Sequence, residues 1–196
     1  MTEKEKMKKQ MLYDANYDKQ LIKEREYAKD LCFDFNNTRP SDTEKQQEIL
    51  KKLIGKTKDS FCITAPFWCD YGYNIELGEN FYANHNLVIL DGAKVTFGDN
   101  VFIAPNCGFH TAGHPIDFER RNQGLEYAYP ITVGDNVWIG AGVNVLPGVK
   151  IGNNVVIGSG SVVTKDIPDD SVAVGNPCRV IRKITEEDKK RCYDRI

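Results

Sequence analysis

The sequence predicts a mainly β chain that folds as a parallel β-helix of hexapeptide repeats. It also predicts a helical cap at the N-terminus and a long loop extruded from one coil. Residues 133–168 divide into sixes that begin with an aliphatic, β-branched residue. Residues 1–55 instead place apolar residues among charges at approximately helical spacing. Residues 110–130 interrupt the repeat and contain no hexapeptide of their own.

The repeat has two apolar positions in every six residues. Six residues make a short extended strand and a turn, so two inward side chains per unit build a continuous core when the units stack. Gly and Asn between the strands tolerate the positive φ that tight corners require. The first positions are Val133, Ile139, Val145, Ile151, Ile157 and Val163, and the fifth positions are Val137, Val143, Val149, Val155, Ser161 and Ile167.

A looser version of the repeat lies upstream, with first positions at Leu77, Ala83, Ile89, Phe97 and Ile103. The next position in phase is Phe109, and the repeat becomes unambiguous again only at residue 133. We therefore predict a β-helix over residues 56–184, with residues 110–130 pushed out of one coil as a loop. Three units of six would make one triangular coil.

Residues 1–55 predict two or three helices that cover one end of the β-helix. An open end exposes unpaired backbone groups and needs such a cover. Ser41 with Glu44 has the spacing of a capping box for a helix over residues 44–54. Thr185 with Asp188 predicts a short helix over residues 185–196.

Composition excludes several classes of protein. The formal net charge of −2 over 196 residues gives no reason to expect nucleic-acid binding. The polar start does not resemble a secretory signal, and no apolar run is long enough to span a membrane. Six cysteines without a CxxC pair indicate a reduced, cytoplasmic protein with free thiols.

The interrupting loop contains two of the three histidines, His110 and His114. A histidine can remove a proton from a hydroxyl near neutral pH. His114 lies between Gly113 and Pro115, which restrict its backbone. A surface loop with incidental histidines is the plain alternative. With His85 the three histidines could bind zinc, although their spacing does not favour it.

Further polar residues could complete a site. Glu126 lies 12 residues after His114, so its carboxylate could fix the tautomer of that histidine. Basic residues after the last clean repeat could hold the phosphates of a nucleotide-tailed cofactor such as coenzyme A, or form a solvated tail; they are Lys165, Arg179, Arg182 and Lys183. Polar residues of the upstream coils could bind a polyol or be structural corners; they are Asp70, Tyr82, Asn84 and Asp91.

Several stretches together resemble one enzyme family. They are DYGYNIELGENFYANHN (70–86), GHPID (113–117), PITVGDNVWIGAGVNVLPGVKIG (130–152) and VIGSGSVVTKDIPDDSVAVGNPCRVIRK (156–183), with YDAN (13–16) and LIKER (21–25) near the start. Over essentially its whole length the chain resembles the maltose and galactoside O-acetyltransferases of the hexapeptide-repeat family. Hexapeptides alone would say little about function, because unrelated transferases share them.

The resemblance implies a left-handed β-helix, a homotrimer with active sites between subunits, acetyl-CoA as donor and a sugar hydroxyl as acceptor, without a metal. His114 matches the catalytic base, and Asn84 or a backbone N–H would stabilise the oxyanion. The positions that match the CoA site are Ala141, Ser159, Thr164, Lys165, Arg179 and Arg182. The acceptor side would contain Asn16, Asp70, Tyr82, Asn84 and Asp91.

Two departures from the family pattern leave the sugar open. Asn16 stands where some members have Asp, and Gly92 stands where the galactoside enzymes have a second acid. The acceptor could also be an antibiotic or serine. The remaining alternatives are a zinc hydratase of the gamma carbonic anhydrase type and a non-catalytic β-helix scaffold.

Overall fold

The computed structural model describes residues 1–190. Three helices and one short strand form the N-terminal region: α1 (Glu3–Lys8), β1 (Tyr13–Asp14), α2 (Lys19–Asn37) and α3 (Thr43–Leu53). Phe35 of α2 and Leu50 of α3 are almost completely buried and belong to the same apolar core as the repeats. These two helices therefore close one end of the β-helix core.

The repeats form a stack of short, mostly parallel strands, which confirms the predicted β-helix. The remaining elements in chain order are β2 (Phe61–Ile63), β3 (Phe67–Cys69), β4 (Ile75–Glu76), β5 (Phe81–Ala83), β6 (Leu87–Leu90), β7 (Val95–Phe97), β8 (Phe102–Ile103), β9 (Gly108–His110), β10 (Ala112–Gly113), α4 (Phe118–Asn122), β11 (Leu125–Ala128), β12 (Ile131–Val133), β13 (Val137–Ile139), β14 (Asn144–Val145), β15 (Lys150–Ile151), β16 (Val155–Ile157), β17 (Val162–Val163), β18 (Ser171–Val174), β19 (Arg179–Lys183) and a 3-10 turn (Glu186–Lys190).

The stack has three faces. The seven-stranded face contains β2, β5, β8, β13, β16, β18 and β19; the five-stranded face contains β3, β6, β9, β14 and β17; and the four-stranded face contains β4, β7, β12 and β15. We call the turn from the seven- to the five-stranded face the first corner. The turn from the five- to the four-stranded face is the second corner, and the turn back to the seven-stranded face is the third corner.

The predicted repeat positions form the core. All six first positions from Val133 to Val163 are at most 2% exposed. The fifth positions from Val137 to Ile167 are at most 5% exposed. Phe109, the position in phase before the interruption, is also fully buried. The interruption therefore leaves the phase of the core intact.

The third corner is stabilised by a ladder of Asp and Asn side chains. The carboxylate of Asp99 accepts the backbone N–H of Glu79 at 2.7 Å, and the Asp135 carboxylate accepts that of Asp99 at 2.8 Å. Asn153 accepts the N–H of Asp135 in the same way. Asn136 at this corner has a φ of 58°, a conformation that Asn tolerates better than most residues. At this corner the side chains thus add to the backbone hydrogen bonds between consecutive coils, such as the one from the Asn136 N–H to the Asp99 carbonyl.

The extruded segment is an ordered arm rather than an irregular loop. Strands β10 and β11 pair antiparallel, α4 lies between them, and β1 from the N-terminus pairs antiparallel with the other edge of β11. His110, predicted to lie in the loop, belongs instead to β9 on the five-stranded face. The arm therefore starts at the second corner, after β9, and returns at β12.

One predicted helix start is wrong in detail. The N-cap of α3 is Asp42, whose side chain accepts the N–H of Lys45, rather than Ser41. Asp and Ser are both good N-cap residues, and the prediction of Ser41 rested only on its spacing from Glu44. At the C-terminal end β19 folds back antiparallel onto β18. A single 3-10 turn then occupies residues 186–190, and the rest of the predicted last helix lies outside the described residues.

Five cysteines lie in the described part of the chain, and all five are free thiols. Cys192, the sixth, lies outside it. Between residues 1 and 190 no helix is both long and apolar enough to cross a membrane.

Candidate active site

His114 lies on the arm directly after β10, with its side chain about half exposed. Its Nδ1 lies 3.0 Å from the carbonyl oxygen of Leu125 on β11. A carbonyl oxygen can only accept, so this hydrogen bond places the proton of the neutral imidazole on Nδ1. Nε2 then keeps its lone pair, which is the state that a general base requires.

Glu126 is next to this histidine, near Nε2 rather than near the protonated Nδ1. Its Oε1 lies 3.8 Å from His114 Nε2, and its Oε2 accepts a hydrogen bond from the hydroxyl of Tyr13 at 3.3 Å. The tautomer of His114 is therefore set by the Leu125 carbonyl and not by Glu126. The carboxylate is placed to compensate a positive charge on the ring instead.

Asp91 lies beneath this region and is completely buried. Its carboxylate accepts the backbone N–H groups of Asp70, Tyr71 and Asn74, at 3.1, 2.8 and 3.3 Å. Burial raises the pKa of Asp91 to about 7, partly opposed by the hydrogen bond from Tyr71 and reinforced by the nearby Asp70. Asp91 was predicted to contact the sugar. In the structure its carboxylate instead binds backbone N–H groups of the second corner.

Asp70 lies at the same corner, directly after β3. Burial and the charge of Glu126 raise the pKa of its carboxyl group. Asn16 reaches the arm from the N-terminal segment, where its amide donates to the carbonyl of Gly124 at 2.7 Å. The structure thus brings Asp70, Asn16, His114 and Glu126 to one corner of the β-helix.

Sequence reasoning missed three residues of this corner. Arg25 of α2 donates to the hydroxyl of Tyr71 at 2.7 Å and to the carbonyl of Ala15. Tyr13 and Tyr71 are 1% and 4% exposed. Arg25 and Tyr13 lie in LIKER and YDAN, which carried the family resemblance, but nothing in the sequence showed that these stretches fold against the arm.

Other predicted residues lie at the first corner. Asn84 follows β5, Ala141 follows β13 and Ser159 follows β16, so the three occupy one edge of the prism. The Oδ1 of Asn84 accepts the N–H of His85 at 2.8 Å, which leaves its NH₂ group as the available donor. Tyr82 projects from β5 on the adjoining seven-stranded face and is 37% exposed.

The basic residues lie near the C-terminal end. Thr164 and Lys165 are exposed at the second corner after β17, two coils beyond the arm. Arg179 and Arg182 are exposed on β19. Arg182 forms a two-pronged ion pair with Asp188, with both N–O distances at 2.8 Å. A phosphate would have to share or replace that partner.

The three histidines have separate partners. His110 Nε2 lies 3.0 Å from Asn144 Oδ1, and His85 Nδ1 contacts the carbonyl of Ala65. His114 binds the Leu125 carbonyl, as described above. Among residues 1–190 no three His, Cys, Asp or Glu side chains are grouped closely enough to hold a metal ion.

Comparisons with known proteins identify the family of the chain. Residues 6–58 match the family model of the maltose acetyltransferase hexapeptide capping motif, and residues 130–165 match that of the bacterial transferase hexapeptide repeats. A protein of Saccharomyces cerevisiae described as an acetyltransferase is 63% identical over 177 residues, which cover 90% of each chain.

Two solved structures are similar over nearly the whole chain. A maltose O-acetyltransferase from Clostridium difficile is 56% identical, with a TM-score of 0.92 over 95% of this chain and 99% of that one. A galactoside acetyltransferase in complex with coenzyme A is 44% identical, with a TM-score of 0.94 over 100% of this chain and 96% of that one. The chain therefore belongs to the maltose and galactoside O-acetyltransferase family of hexapeptide-repeat acetyltransferases.

Proposed function

We propose that the protein transfers the acetyl group of acetyl-CoA to a hydroxyl group of a sugar, with His114 as the general base. The observation that carries this proposal is the environment of His114. Its Nδ1 is bound to the Leu125 carbonyl, its Nε2 is left to accept a proton, and the carboxylate of Glu126 lies 3.8 Å from Nε2. This arrangement stabilises the imidazolium that forms when the base takes a proton.

The proposed reaction is a direct transfer in a ternary complex. His114 Nε2 removes the proton of the acceptor hydroxyl while that oxygen attacks the thioester carbonyl. The oxyanion is stabilised by the amide NH₂ of Asn84 or by a backbone N–H. The C–S bond then breaks, the ester forms, and the imidazolium returns its proton to the CoA thiolate. No metal is required in this sequence.

The first corner and the C-terminal strand would hold acetyl-CoA. Within residues 1–190 the backbone N–H groups of Ala141 and Ser159 have no acceptor. They can therefore donate hydrogen bonds to the amide carbonyl groups of acetyl-CoA. Their small side chains keep this edge open. The exposed Thr164 and Lys165, with Arg179 and Arg182, would bind phosphate groups.

The positions of these residues support a homotrimer. In one chain the base lies on the arm at the second corner, whereas Asn84, Ala141 and Ser159 lie at the first corner. A complete site therefore needs the arm of one subunit to meet the first corner of another. In the proposed homotrimer the two corners would meet, with each site shared between subunits.

The acceptor side favours a sugar. This side offers carboxylate, hydroxyl and amide groups from Asp70, Tyr82, Asn84 and Asn16, which can hydrogen-bond the hydroxyls of a glucose- or maltose-like ring. The proposed target is the primary 6-hydroxyl of that sugar. An antibiotic or serine would use the same base, so the acceptor screen below includes both. Because the five cysteines of the described residues are free thiols and the proposed donor is acetyl-CoA, we place the enzyme in the cytoplasm.

His114→Ala tests the proposal directly. We expect the trimer and CoA binding to be retained and turnover to fall by about 10²- to 10⁴-fold, because the proposed base is removed. Release of the CoA thiol would be followed with acetyl-CoA and a panel of maltose, glucose, galactosides, glucosamine, serine and chloramphenicol. His110→Asn, on β9, is the matched control and should keep its turnover. Near-normal turnover in His114→Ala would refute the assignment.

A further inference from the structure

Strand β1 is paired with the two arm residues that contact the proposed base. Tyr13 pairs with Glu126, and Asp14 pairs with Leu125, in an antiparallel register. Leu125 provides the carbonyl that binds His114 Nδ1, and Glu126 provides the carboxylate near Nε2. The N-terminal segment therefore lies directly behind the part of the arm on which the geometry of His114 depends.

The side chain of Tyr13 continues this contact. It is 1% exposed, and its hydroxyl donates to Glu126 Oε2 while Glu126 Oε1 faces His114. The two carboxylate oxygens thus have different partners, which fixes the orientation of the carboxylate. Burial and the charge of Glu126 raise the pKa of Tyr13, so its hydroxyl stays a donor throughout the physiological range.

Gly92 explains how the Tyr13 hydroxyl fits here. A Cβ atom at residue 92 would lie only 3.0 Å from the hydroxyl oxygen of Tyr13 and 3.3 Å from the Cβ of Ala128. A side chain at this position would require the Tyr13 hydroxyl and Ala128 to shift by a few tenths of an ångström. The departure from the galactoside enzymes at Gly92 is therefore coupled to Tyr13 in this chain.

Two more contacts fix β1 in place. The N–H of Asp14 donates to Glu3 of α1 at 2.6 Å, and the amide of Asn16 donates to the Gly124 carbonyl at the turn before β11. Tyr13 is thus held between the first helix and the arm. Its hydroxyl is therefore held where it donates to Glu126 Oε2.

We propose that Tyr13 is a positioning residue for catalysis, which holds the Glu126 carboxylate beside Nε2 of His114. The inference rests on the proposed function, because it assumes that His114 acts as the base. Tyr13 contacts neither substrate and exchanges no proton. It acts through Glu126, whose negative charge compensates the imidazolium during the transfer.

Tyr13→Phe removes only the hydroxyl and keeps the buried ring. We expect kcat to fall about 10-fold, with the KM for acetyl-CoA and the trimer unchanged, because the carboxylate is no longer held in place. Glu126→Gln should lower kcat by about 10- to 100-fold. The double variant should match Glu126→Gln, since the hydroxyl acts only through the carboxylate.

Tyr73→Phe is the matched control, because the Tyr73 hydroxyl also donates to a carboxylate, but to that of Glu24 on α2 rather than to that of Glu126. It should keep its kcat even if its Tm falls. Multiplicative effects in the double variant, or a rise only in the KM for the sugar, would overturn the role of Tyr13. If Tyr13→Phe turns over normally while His114→Ala is inactive, only this inference fails; if His114→Ala stays active, the proposed function fails as well.

Discussion

Single carboxyl groups around the arm experience opposite electrostatic environments. Burial raises the pKa of Asp91 to about 7, and it also raises that of Asp70. At the exposed tip of the arm, the pKa of Asp117 is lowered by the backbone N–H of Arg120. A buried carboxylate costs stability when it is charged, whereas a capping carboxylate contributes stability in that form.

The titration of Asp91 can be measured as a stability difference. Its folded pKa of about 7 lies above the ordinary value of 3.8, so the folded chain binds more protons and gains stability as the pH falls through about 7. Asp91→Asn cannot titrate. From about pH 7.5 to about pH 5, wild type should gain about 2 kcal/mol relative to Asp91→Asn in denaturant unfolding. Parallel pH profiles of the two proteins would contradict the raised pKa.

The sequence allowed the position of some of these side chains to be predicted, but not that of others. The GHP context singled out His114, whose imidazole indeed lies beside Glu126. The burial of Asp91 could not be predicted from the sequence, because it depends on a turn of residues 70–74 in the preceding coil. A polar residue at a corner has the same local sequence whether its side chain faces a ligand or the backbone of its neighbour.

Elements were predictable wherever their own residues determined them. The hexapeptide phase gave the buried positions of the coils, including Phe109 before the arm. The arm itself could not be predicted, because β11 pairs on one edge with the distant strand β1. Local patterns cannot reveal a partner more than one hundred residues away in sequence.

The corrected N-cap of α3 gives a test with a built-in control. The carboxylate of Asp42 accepts the N–H of Lys45 at the start of the helix. Asp42→Ala should therefore destabilise the protein by about 1 kcal/mol, which is about 2–4 °C in Tm for a chain of this length. Ser41→Ala should leave Tm nearly unchanged. Equal effects, measured by thermal unfolding, would favour the capping box predicted from the sequence.

The molecule as a whole presents an apolar ladder on its seven-stranded face. Tyr82, Phe102 and Trp138 are neighbours in register on β5, β8 and β13, and they are 37%, 49% and 56% exposed. Val156 continues the row on β16. A continuous exposed apolar row on a folded chain is typical of a surface that another protein covers. We assign it to contacts within the proposed trimer.

Trp138→Glu tests this assignment. A charge in the middle of the ladder should convert the trimer to monomers in sedimentation and reduce turnover in proportion, because each proposed site is shared between subunits. Thr132→Glu places the same charge at the corresponding exposed position of β12, on the four-stranded face. That variant should stay trimeric. A trimeric Trp138→Glu protein would remove the ladder from the interface.

The pairing of β1 with β11 also constrains the order in which the protein can be made. Tyr13 and Glu126 are 113 residues apart, so the first strand leaves the ribosome long before its partner exists. The intervening coils must be synthesised before the arm can dock on that strand. The surroundings of the base are consequently completed late, and a nascent chain that stops before residue 125 lacks both the carbonyl and the carboxylate that flank His114.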